Sequence, residues 1–92
     1  MVLLEDRQQA VVKVGKKGVL PYALAICELF RQGNDTVLVQ SRGKANQRAL
    51  SAVMVANYLS GATVKETRTY PEWIEHGTEM VPALDITMSR KV

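Results

Sequence analysis

The apolar residues of this chain switch repeatedly between a two-residue and a helical period, and that order of switches constrains the fold more than any other feature. Ala10 to Val14 read AVVKV, short and β-branched. The Gly15-Lys-Lys-Gly18 that follows is turn chemistry, so a strand and then a loop are predicted. Pro21 suits the first turn of a helix. Tyr22, Ala23, Ile26, Leu29 and Phe30 then recur at helical spacing before Gly33, a good helix-ending residue. Thr36 to Gln40 (TVLVQ) is a second β-branched run, ended by Ser41-Arg-Gly-Lys44. From Ala45 to Leu59 good helix formers place Ala49, Ala52, Val53, Ala56 and Leu59 on one face, and Gly61 closes the helix. Thr63 to Tyr70 alternates polar and β-branched residues. Met80 to Ser89 puts Leu84, Ile86 and Met88 on one side and Asp85, Thr87 and Ser89 on the other, so both segments read as strands. Pro71 to Glu79 (PEWIEHGTE) is long for a hairpin turn and reads as a mobile arm.

The order β-α-β-α-β-β implies a two-layer α/β (α+β) domain with two helices on one face of a four-stranded mixed sheet, whose other face needs cover or tolerance of water. If the first two strands run parallel, both strand-to-helix loops emerge at the same edge, and GKKG and SRGK become neighbours.

A chain of 92 residues is one domain, residues 1–92, with a core that is adequate without metals or disulfides. With 47% apolar and 23% charged residues it has the balance of a folded chain. Met1-Val-Leu-Leu is followed at once by Glu5, Asp6 and Arg7, unlike a signal peptide, and no apolar run could span a bilayer, so an intracellular, cytoplasmic protein with no membrane partner is expected. The single Cys27 has no internal disulfide partner and no CxxC spacing. Set among Ala25, Ile26 and Leu29, it reads as core. His76 has no base, nucleophile or ligand at a recognisable spacing, so no catalytic residue, metal or cofactor is expected. Met54, Met80 and Met88 read as core or interface filler.

The net charge of +3 says less than its distribution. Up to Arg48 there are eight Lys and Arg against four acids, and beyond it four against five. No acid occurs between Asp6 and Glu28 or between Asp35 and Glu66, windows that hold Arg7, Lys13, Lys16, Lys17, Arg42, Lys44, Arg48 and Lys65. Both loops join glycine to basic residues just before a helix, where unpaired N–H groups and the helix dipole favour phosphate. Lys16, Lys17, Arg42 and Lys44 are therefore predicted to converge on one anion. Gly15, Gly18 and Gly43 would allow close approach, and Arg48, one turn into the second helix, would extend the patch. Gly43 and Asn46 complete the candidate contacts. A lone GKKG or RGK is usually a solvated turn, and two at equivalent helix starts carry more weight.

GKKGVLPYALAICELFRQG followed by VLVQSRGKANQRAL closely resembles the Alba family, archaeal chromatin proteins with eukaryotic relatives that bind RNA, including subunits of RNase P and MRP. The resemblance is strong from about Val11 to Ser60 and weak through the hairpin. It implies a fold like the C-terminal domain of translation initiation factor three, a homodimer or a heterodimer with a paralogue, and sequence-independent, non-enzymatic binding of double-stranded DNA and RNA on the nucleoid. Lys16 and Lys17 match the family's lysine pair, Arg42 and Lys44 its basic turn, and Arg48 a basic position on its second helix. Lys16 is the position at which regulatory acetylation would fall.

The chain also departs from the family. Its arm carries Glu72, Glu75 and Glu79 with Trp73 and His76, where the family is often basic or polar. Near the end of the second helix it has Tyr58, Leu59 and Ser60 where many members have phenylalanine, which puts cooperative polymerisation in doubt. An RNA-processing subunit is the close alternative, since backbone-directed cations serve both nucleic acids. A phospho-ligand domain is weaker, because GKKGVLP lacks P-loop spacing. The acidic hairpin could also meet a protein partner.

Overall fold

The computed structural model describes residues 9–74, 77 and 79–90. In chain order it comprises β1 (Ala10–Lys13), α1 (Val19–Arg31), β2 (Thr36–Arg42), α2 (Ala45–Ser60), β3 (Thr63–Trp73) and β4 (Met80–Ser89). The four strands form one sheet in the order β1-β2-β4-β3, with β1 and β2 parallel and the other pairs antiparallel. This is the expected two-layer mixed-sheet architecture.

The core lies between the helices and one face of the sheet. Val12, Val37, Val39, Leu84, Ile86 and Met88 point into it from alternate strand positions, against Ala23, Ile26 and Phe30 of α1 and Ala49, Ala52, Val53 and Ala56 of α2. Sealing Ile26, Ile86 or Met88 from water is worth about 1.5–3 kcal/mol each. Three buried alanines on α2 keep that helix close to its neighbours. Cys27 is half-buried against this core, its Sγ 4.0 Å from the Ala56 carbonyl. Gly61 ends α2 with φ 80, a left-handed conformation that costs glycine no steric strain.

Two sequence expectations need correction, on Leu59 and on the end of β3. Leu59 is 52% exposed, because it lies at the margin of the α2 stripe rather than at its centre. Of the three methionines read as core or interface filler, Met88 lies in the core, and Met54 and Met80 are exposed. β3 does not stop at Tyr70 but runs through Pro71-Glu72-Trp73 into the expected arm. Pro71 is tolerated there because β3 is an edge strand, and Pro82 opposes it beyond the last β2 pairing at Arg42↔Ala83. The sheet face away from the helices carries Lys13, Gln40, Asp85, Thr87 and Arg68, so of the two alternatives for that face it tolerates water. Large exposed apolar residues lie on strands, at Val11, Val64, Trp73 and Met80, and on the helices, with Leu20 and Leu24 on α1 and Leu50, Met54 and Tyr58 one turn apart on α2.

Candidate nucleic-acid interface

Because β1 and β2 are parallel, both loops leave the sheet at one end. They line an open groove of about 820 Å³, where Lys13, Lys16, Arg42, Lys44 and Arg48 face two carboxylates, Glu72 and Asp85. The groove is thus net basic, and its cations come from both loops and both strand ends, as the sequence implied. Lys13 was not singled out by sequence. Its position in an acid-free window and on the outward face of β1 was the available signal.

Lys17 is placed differently. It lines a separate depression between β1 and α1 with Pro21, Ala25 and Glu28, so the lysine pair straddles two surfaces rather than converging on one. What divides the pair is Tyr22, which sequence reading took for a helix-face residue. Its hydroxyl oxygen accepts from the N–H groups of Gly15 (2.8 Å) and Lys17 (3.2 Å), so the loop wraps around the phenol. The Lys17 N–H foremost, then that of Gly15 and the nearby cations, holds the Tyr22 phenol below its ordinary value against an opposing desolvation. Arg48 adds a second tie by donating Nη1 to the Gly15 carbonyl, which clamps the first loop to α2.

The second loop is fixed by the hairpin. Gly43 has φ +61, which glycine adopts freely, and its N–H donates to the Pro82 carbonyl at 2.8 Å. Asn46 donates Nδ2 to the same oxygen at 3.0 Å and accepts from the buried Ser41 hydroxyl at 2.7 Å. Both ends of its amide are therefore engaged within the protein. The N–H groups of Gly15, Lys17, Gly43 and Asn46 all have protein acceptors, so these four are not open to a ligand in the way the sequence suggested.

The groove floor is polar. Tyr70 and Gln40 both donate to Asp85 Oδ1, at 3.2 and 3.4 Å, and the Arg68 guanidinium lies 5.8 Å from the Tyr70 ring centroid. Partial burial, then the Asp85 carboxylate, pushes the Tyr70 phenol up. Arg42 Nη1 lies 3.9 Å from Glu72 Oε1. Trp73 is 59% exposed opposite Met80, within β3 rather than in a loop. Glu75 and His76 lie outside the described residues. Among the described residues no three His, Cys, Asp or Glu cluster as metal ligands, and no helix is long and apolar enough to cross a membrane.

The chain is 33% identical over 84 residues to DNA/RNA-binding protein Alba 1 of Archaeoglobus fulgidus, spanning 87% of this chain and 94% of the relative. The chain belongs to the Alba family. Its fold superposes on Alba from Thermoplasma volcanium with a TM-score of 0.76 at 27% identity, covering 87% of this chain and 99% of the other. Against ALBA1 from Trypanosoma brucei the TM-score is 0.77 at 22% identity, covering 92% and 72%, a likeness of fold. No family model matches the chain. Within the Alba fold, the basic groove described here occupies the end of the sheet where the two strand-to-helix loops meet.

Proposed function

We propose that this chain binds double-stranded DNA and RNA by gripping phosphates, without reading sequence and without catalysis. The observation that carries this reading is the groove itself, where Lys13, Lys16, Arg42, Lys44 and Arg48 from the two loops and the elements beside them gather at one sheet end against two carboxylates among the described residues. Relatives named DNA/RNA-binding protein Alba support the same ligand class. Mobile lysine and arginine side chains suit a repeating anionic backbone, whereas base readout would need fixed donors aimed at base edges.

The working unit is a homodimer, or a heterodimer with a paralogue, associated with the chromosome. The exposed Leu50, Met54 and Tyr58 on α2 support association, because so continuous an apolar stripe gains from being covered. Lys16 is exposed in the groove, so acetylation there would remove one phosphate-binding charge. Mass spectrometry of the native protein tests that modification.

A second reading, an RNA-processing subunit, is favoured by one observation: exposed Trp73 adjoins the groove residue Glu72 and offers a face on which an unpaired base can stack. Competition gel shifts separate the readings. Duplexes of unrelated sequence should compete equally with a labelled duplex. Structured RNA competing far better than any duplex would move the assignment to RNA, and sequence-selective competition would overturn the backbone-gripping reading.

A further inference from the structure

The groove contains its own competitor for phosphate. Arg42 stands opposite Ala83 on one side of β4, and Tyr70 stands opposite Ala83 on the other, so Glu72, two residues on and opposite Val81, shares a sheet face with Arg42. Ala83 presents only a methyl group between them. The Arg42 guanidinium reaches across β4 and comes within 3.9 Å of the Glu72 carboxylate, both side chains being about half exposed. The pairing is not left to a wandering hairpin. The Pro82 carbonyl, next to Val81, accepts from both Gly43 and Asn46, so the strand pair carrying Glu72 is bonded to the turn carrying Arg42.

We infer that Glu72 is an affinity-setting residue, a built-in anion that occupies Arg42 and must be displaced before a nucleic-acid phosphate binds there. The inference rests on the proposed function and deepens it. Arg42 is the groove cation best suited to a bidentate phosphate contact that the second loop offers, and among the described residues it is the groove cation held by a carboxylate. An exposed pair of this kind is weak, so a dense phosphate backbone displaces it at modest cost. The same carboxylate repels any phosphate bound to Arg42. Together these effects keep the grip loose and steeply dependent on phosphate density.

The test is duplex-DNA binding by fluorescence anisotropy across a salt series for the full chain, Glu72→Gln and Glu66→Gln. Glu66 lies on the same strand outside the groove, so its variant makes the same charge change at a distance. The expected result is binding roughly three- to ten-fold tighter for Glu72→Gln at low salt, with the gain shrinking as salt rises and the log–log salt slope steeper by about 0.9. Glu66→Gln should show less than half that gain. If the parent binds and Glu72→Gln matches either the parent or Glu66→Gln, the competitor role is wrong while the proposed function stands. If neither parent nor Glu72→Gln binds at low salt, the proposed function fails and the inference with it.

Discussion

Asn46 and Pro82, 36 residues apart, are joined by a 3.0 Å hydrogen bond from the Asn46 side-chain amide to the Pro82 carbonyl. The same amide's oxygen accepts a hydrogen bond from the hydroxyl of Ser41, the one buried polar side chain among the described residues. One asparagine thus satisfies the end of β2 and fastens the hairpin to the basic turn. Both ends of the amide are thereby committed to holding the basic turn in place.

Replacing Asn46 by alanine strands the Ser41 hydroxyl and removes one of two donors to Pro82. The loss should be about 1–3 kcal/mol, seen as a fall of roughly 4–8 °C in Tm for each kcal/mol at fixed protein concentration. Asn46→Asp keeps the acceptor for Ser41 and loses only the donor, so it should fall between parent and alanine. An alanine variant that melts with the parent would show that neither bond contributes.

Tyr22 and Tyr70 should titrate on opposite sides of the ordinary phenol value of 10.0. Tyr22 has its phenolate favoured by the Lys17 and Gly15 N–H groups. Its ionisation therefore adds stability above pH 10, and that contribution fades as pH falls through its lowered value. Tyr70 runs the other way, since its neutral form adds stability below pH 10 that is lost as pH rises through its raised value. Ultraviolet titration should show a first step absent from Tyr22→Phe and a last step absent from Tyr70→Phe. The reverse assignment would refute the wrapped-loop geometry.

The strand and helix order was legible in the sequence, because turn chemistry and apolar period both respond to local residue type, and the meeting of GKKG with SRGK followed only on the condition that β1 and β2 run parallel, as they do. What was not legible depended on contacts between distant segments. Nothing near Tyr22 reveals that its hydroxyl will gather two loop N–H groups, and nothing near Asn46 points to Pro82. The extension of β3 through Pro71 was hidden for a related reason, since proline argues against a strand unless that strand is known to lie at an edge. Leu59 failed because a helical stripe has margins that spacing alone does not locate.

The lysine pair gives a finer test of the groove. Lys16 lies in it and Lys17 in the neighbouring depression, so Lys16→Ala should lower the log–log salt slope of duplex binding by about 0.9, and Lys17→Ala by less than half of that. Equal losses from the two variants would mean that the bound backbone spans both surfaces.

The most direct measurement is the salt dependence of duplex binding for the parent and for a variant with Lys16, Arg42 and Lys44 all changed to alanine, followed by fluorescence anisotropy. Phosphate gripping by the groove predicts tight binding at low salt that falls steeply as salt rises, and a triple variant whose slope is shallower by about 2–3. A triple variant that binds with the parent's affinity and slope would contradict it and leave both loops as solvated turns.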